Sequence, residues 1–208
     1  MGTIQPVARF GKASAAVLVF ALAVTVAGCG SSKKSSGGGG GGPAATTQSA
    51  ADARSAATGD IPDNQVFLTF KDAAAGYSIS YPEGWARRGG ANDTTFQDKA
   101  NVIHIVVTKG SQQTPADVQA DLTRLKASDP AIKAGPVQKV TLKGQPVLKV
   151  TYTTRSGPNP VTGKRVPLTV DRYYYSKGGR RAYVDLGTAV GVDNVDAYRL
   201  ISQSFKWQ

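Results

Sequence analysis

The 208-residue chain has one cysteine, Cys29, and one histidine, His104. A single cysteine rules out an internal disulfide, so any folded part must hold together by packing alone. Structural zinc sites draw on several His or Cys ligands, and one of each falls short of that need. A Ser-His-Asp or Cys-His site would have to be built on His104, yet no Gly-x-Ser-x-Gly elbow accompanies it. No apolar run reaches the roughly 18–20 residues of a membrane-spanning helix. Acidic residues are also few: 14 Asp plus Glu face 25 Lys plus Arg, for a formal net charge of +11. Residues 30–60 contain no Ile, Leu, Val, Phe, Tyr or Trp. That stretch has too little apolar surface to offset the entropy of ordering it.

What is present begins with an address. Arg9 and Lys12 precede an apolar segment, 13–26, broken only by Ser14 and Thr25, and Val26-Ala27-Gly28-Cys29 follows. A charged region, a short apolar core and a small-residue site have the form of a secretory signal. The cysteine directly after Val-Ala-Gly resembles the lipobox of bacterial lipoproteins. The resemblance implies cleavage before Cys29, acylation of Cys29, and anchorage on the extracytoplasmic face of the cell membrane. Residues 29–60, with Lys33-Lys34 and six consecutive glycines at 37–42, read as a tether. As a coil of about 30 residues it would span roughly 30 Å on average.

From residue 61 the composition changes. Both tryptophans and all eight tyrosines lie in 61–208, enough for one hydrophobic core. This part holds 20 Lys plus Arg against 12 Asp plus Glu, an excess of eight positive charges. On an exported domain a basic surface faces anionic lipid or wall polymers, and nucleic acid is not an expected partner.

Alternation predicts strands at 66–70 and 77–81, the latter ended by the Pro82-Glu83-Gly84-Trp85 turn, with Tyr81 and Trp85 pinning that turn to the core. A hairpin follows, 94–97 with 101–109, its second strand central. Thr114-Pro115 opens a helix to about 127, with Val118, Leu122 and Leu125 as its apolar stripe. Strands at 135–142 and 146–153 turn at Lys143-Gly144-Gln145. An exposed loop spans 155–165, and strands at 166–176 and 180–187 turn at Lys177-Gly178-Gly179. A last amphipathic helix spans 193–204, its apolar side Val195, Tyr198, Leu200 and Ile201, with Phe205 and Trp207 capping it. Hairpins and amphipathic helices in this order give an α+β layered domain with a mainly antiparallel sheet.

Three stretches resemble PsbP-like domains: Gly76-Tyr-Ser-Ile-Ser-Tyr-Pro-Glu-Gly-Trp85, Lys143-Gly-Gln-Pro-Val-Leu-Lys-Val-Thr-Tyr152, and Arg181-Ala-Tyr-Val-Asp-Leu with the closing helix to Ser202-Gln-Ser-Phe205. In style the chain is similar to actinobacterial lipoproteins of the LpqN/LpqT type, which share a lipobox, a polar tether and one such domain. The resemblance implies an α/β/α sandwich and an accessory or interaction role without catalysis. Photosystem members of the family support manganese and calcium chemistry through contacts not matched in this sequence; no ligand residue carries over, and no cofactor is expected.

The remaining candidates are weak as chemistry. On a strand among Val and Ile, His104 reads as a packed or edge histidine rather than a catalytic one. Asp193 and Asp196 read as an N-cap and a first-turn acid better than as a calcium site. Gly157 to Gly163-Lys164 has one residue too many for a phosphate loop, and Arg165 stands where Ser or Thr is needed. The run Tyr173-Tyr174-Tyr175, with Arg180 and Arg181, is the candidate binding surface, one tyrosine face in the core and the other open to a ligand. The function expected is a non-enzymatic, membrane-anchored module that meets a protein, wall polymer or lipid. The alternative is a carrier or receptor for a small apolar ligand held between sheet and helix.

Overall fold

A computed structural model describes residues 59–159 and 161–208. The segment Val26–Cys29 and nearly all of the tether lie outside the described residues.

The chain forms strands β1 (Phe67–Asp72), β2 (Tyr77–Pro82), β3 (Ala86–Gly90), β4 (Asp93–Asp98) and β5 (Asn101–Lys109), then helix α1 (Pro115–Ser128). After it come β6 (Lys133–Ala134), β7 (Gln138–Leu142), β8 (Gln145–Arg155), β9 (Pro167–Lys177), β10 (Arg180–Ala189), helix α2 (Val195–Ser204) and β11 (Lys206–Trp207). The strands make two sheets. A small one has the order β1-β2-β11; a large one runs β3-β4-β5-β10-β9-β8-β6, with β7 also on β8. All strand pairings among the described residues are antiparallel.

Local sequence accounts for most of these elements. Gly178 and Gly179 have φ of 59° and 72°, the left-handed pair that a two-residue hairpin turn needs. Thr114 caps α1 with a full capping box: its Oγ1 accepts from Asp117 N at 3.2 Å, and Asp117 Oδ2 accepts from Thr114 N at 2.8 Å. Pro115, which has no N–H to leave unpaired, occupies the first turn.

Period-two alternation and the register assign two faces to the large sheet. On one face Phe96, Ile103, Ile105, Val184, Leu186, Tyr173 and Tyr175 form the main core with Tyr77 and Ile79 of the small sheet and Tyr198 and Ile201 of α2. The other face packs Val150 and Tyr174 against Val118 and Leu122 of α1. Helix, sheet, and helix with small sheet make the α/β/α sandwich expected from the sequence.

Three expectations change. β3, five exposed residues with Arg87 and Arg88, has no apolar alternation and is made a strand by pairing to β4, with Arg87 lying 5.1 Å from the Phe70 ring centroid. The apolar stripe of α2 is narrower than its spacing suggests: Tyr198 and Ile201 are buried, but Val195 and Leu200 are 70% and 44% exposed. The N-cap of α2 is Asn194 rather than Asp193, and its side chain does not cap the helix because it is used elsewhere.

Candidate functional site

The face of the large sheet beneath α1 carries a chain of ions. His104 on β5 lies opposite Asp185 on β10, which lies opposite Arg172 on β9, so all three point the same way. Arg172 donates from Nε and Nη2 to the two oxygens of Asp185, at 2.6 and 2.7 Å. Its Nη1 donates to Asp121 Oδ2 of α1 at 3.1 Å, and Tyr174 donates to the same oxygen at 2.8 Å. The guanidinium lies between two rings, 4.1 Å from the centroid of Tyr183 and 5.5 Å from that of Tyr152. His104 Nε2 is 2.9 Å from Asp93 Oδ1, and Nδ1 is 3.8 Å from Asp185 Oδ2.

The ionisation follows from this packing. Burial opposes a charge on Asp185, but hydrogen bonds from Arg172 and the neighbouring His104 hold its carboxyl below the usual range. Burial likewise opposes a charge on His104, and Asp185 and Asp93 outweigh it, raising its pKa. Burial raises the phenols of Tyr152 and Tyr174, so they stay protonated. The histidine is therefore half-buried and ion-paired, not simply packed among aliphatics as its strand neighbours suggest.

This arrangement does not supply a nucleophile or an open base. Both His104 nitrogens face carboxylates, whereas a catalytic histidine must present one nitrogen to the reacting group. Asp185 is neutralised by two Arg172 nitrogens at hydrogen-bond distance. No group of three or more His, Cys, Asp or Glu suited to a metal ion occurs among the described residues. What the cluster does is fasten α1: only Val118 and Leu122 of that helix are fully buried, and Asp121 adds two directed bonds.

The tyrosine run does not form an exposed platform. Tyr173, Tyr174 and Tyr175 are 6%, 3% and 2% exposed, because the small sheet and α2 cover one face and α1 covers the other. Tyr175 donates to Ser202 O at 2.7 Å and stacks on Phe205. Tyr175 also lines a pocket of about 240 Å³ together with Phe205 and Trp207. The two arginines are half-buried clamps. Arg180 donates to Gly76 O and Gln208 O, both at 3.1 Å, and lies 4.8 Å from the Trp207 ring centroid. Arg181 donates from Nε to Thr108 Oγ1 at 3.1 Å. Alternation placed the tyrosines on opposite faces correctly, but did not reveal that both faces are covered.

The open concave surface lies elsewhere, where the chain enters the domain. A groove of about 1020 Å³ runs between residues 60–67 and α2. Its lining includes Ile61, Phe67, Ala197 and Leu200, four carboxylates (Asp60, Asp63, Asp193 and Asp196), and the cations Lys143 and Arg199. A buried polar hub fixes its shape. Asn194 Oδ1 accepts from Ile61 N at 2.7 Å, and Asn194 Nδ2 lies 2.9 Å from Thr188 Oγ1, 3.1 Å from Asn101 Oδ1 and 3.2 Å from Gly59 O. Asn101 Nδ2 donates to Gly59 O as well. Sequence reasoning missed this groove because its walls are far apart in the chain. The signal that could have hinted at it was four aspartates in two short stretches of a basic domain.

A large antiparallel sheet with one helix on one side, and a helix with a small sheet on the other, defines the class: a PsbP-like fold. The fold is similar to the solution structure of cyanobacterial PsbP (CyanoP) from Synechocystis sp. PCC 6803, at a TM-score of 0.51. Sequence identity is 18%, over 72% of this chain and 98% of that one. A crystal structure from Bacteroides thetaiotaomicron VPI-5482 matches at a TM-score of 0.45 and 13% identity, over 67% of this chain and 48% of that one. No protein-family model matches the sequence, and no curated protein matches it. At these identities the likeness establishes the fold alone. Among the described residues, no helix is long and apolar enough to cross a membrane.

Proposed function

We propose that this protein is a non-enzymatic accessory module, held by acylated Cys29 on the extracytoplasmic face of the cell membrane and acting by binding a partner in the envelope. The groove between residues 60–67 and α2 carries this reading, since it is open, preformed and lined by side chains suited to recognition. The ion cluster under α1 is consistent with it, because its histidine and carboxylates are committed to one another. The carrier alternative draws no support from the groove, whose four carboxylates are poor company for a small apolar ligand. Between sheet and α1 the space is taken up by Val118, Leu122, Tyr174 and the Arg172–Asp121 pair.

Two experiments test the parts separately. Globomycin, which blocks signal peptidase II, is expected to cause accumulation of the uncleaved full chain; normal maturation under the drug contradicts anchorage through Cys29. Affinity capture from envelope extract with the full-length protein is expected to recover a reproducible partner. Repeated capture of none, with neither lipid nor glycan retained, contradicts the accessory role.

A further inference from the structure

The groove has a charge opposite to that of the domain around it. Residues 61–208 carry an excess of eight positive charges, yet four aspartates line the groove against one lysine and one arginine. Arg199 is itself engaged with Asp196 at 2.7 Å. Anionic headgroups and anionic polymers are repelled by such a surface, whereas cationic groups are drawn to it.

Apolar surface lies between those charges. Leu200 is 44% exposed on a helix whose Tyr198 and Ile201 are sealed in the core. Ile61, Phe67 and Ala197 line the groove with it. The hub around Asn194 holds residues 59–61, and pairing of Phe67 with Pro82 holds the other end. A groove built in advance loses little ordering entropy when filled. Its volume of about 1020 Å³ and its dispersed carboxylates suit several residues of an extended chain better than one compact cation.

We propose that this groove docks a basic peptide segment of a partner protein, with an aliphatic or aromatic side chain seated on Leu200 and Phe67 and flanking Lys or Arg side chains facing Asp60, Asp63 and Asp193. The proposal rests on the interaction-module reading and names the partner chemistry of that site.

The test uses the full chain in detergent and a random twelve-residue phage-displayed peptide library as probe. Enriched sequences are expected to carry at least two Lys or Arg around Leu, Ile or Phe. Fluorescence anisotropy of a selected synthetic peptide is expected to weaken about tenfold or more with Leu200→Asp and about fivefold with Asp63→Lys. It is expected to stay unchanged with Thr123→Ala on the exposed side of α1, and to weaken as salt rises. Circular dichroism confirms that each variant is folded. An acidic or uncharged consensus, no enrichment, or binding indifferent to both groove substitutions overturns the proposal. So does self-association abolished by Leu200→Asp, which gives the groove to a second copy of the chain. Peptides that bind away from the groove sink this assignment and leave the interaction module standing; failure of envelope capture as well sinks both.

Discussion

The face of the large sheet toward the small sheet and α2 is closed by rings and aliphatic chains, while the face under α1 holds buried Arg172 and Asp185 with half-buried His104 beside them. Phe205 illustrates the first: it stacks on Tyr175 at 4.3 Å and on Tyr77 at 5.6 Å, with Trp207 edge-on at 5.1 Å. Arg172 illustrates the second, with three ion-pair contacts to two aspartates and a ring on either side. The aromatic face adds many non-directional contacts to the Tyr175–Ser202 and Ser80–Ser204 hydrogen bonds, so no single partner decides how α2 sits. The narrow helix α1 has a thin apolar stripe, and the directed Asp121–Arg172 and Asp121–Tyr174 bonds set its position. Charge inside this domain thus does the work of packing, and the one histidine belongs to that framework. The proposed recognition site is instead the groove at the edge of α2.

The contrast is broken most sharply at Arg172. Arg172→Met leaves Asp185, 8% exposed at its side chain, without its main counterion. The expected loss is about 3–5 kcal/mol, read by urea denaturation. Replacing the partners together, Arg172→Met with Asp185→Leu, is expected to recover most of that loss, because burying two paired ions is itself costly. A single variant within about 1 kcal/mol of the parent would remove the ion cluster from the framework.

The hub that shapes the groove comes next. Asn194→Ala strands Ile61 N and leaves the Gly59 carbonyl to Asn101 alone, with an expected cost of about 2 kcal/mol. Hydrogen exchange is expected to quicken in 59–66 while α1 stays protected. Equal loosening at α1 would contradict a local role.

The smallest effect is that of pH. The folded-state pKa of His104 is raised above 6.5, so its ion pairs contribute fully below pH 6.5 and fade as pH climbs through the folded value. His104→Gln is expected to remove that slope, costing about 1 kcal/mol or less on the acid side and nothing once the histidine is neutral. Asp185 has the opposite sign: its lowered pKa contributes above 3.8 and is lost as pH falls through the folded value. A stability profile for His104→Gln that parallels the parent from pH 6 to 9 would show that the histidine carries no charge at the lower end.

Local signals in the sequence account for much of this fold. The Gly178-Gly179 turn, the Thr114 cap and the alternation in 77–81 rest on neighbouring residues, and each formed as its chemistry dictates. β3 was illegible because pairing to β4, not its own pattern, makes it a strand. The ions were illegible for a related reason. His104, Asp185 and Arg172 come from three strands, and only the register aligns them. The tyrosine run misled because alternation gives the sides of a strand but not what covers them. Leu200 misled in reverse: helical spacing groups it with Tyr198 and Ile201, and only the tertiary fold leaves it facing an open groove.

The central claim is that the domain acts through the groove rather than through the sheet or the outer side of α1. Photocrosslinking on the full-length protein in its native cell tests it most directly, with benzoylphenylalanine placed at Leu200 in one strain and at Thr123 in another. The account predicts a discrete adduct from position 200, with the crosslinked partner peptide rich in Lys or Arg, and none from position 123. Equal adducts from both positions, or an adduct from position 123 alone, would contradict it.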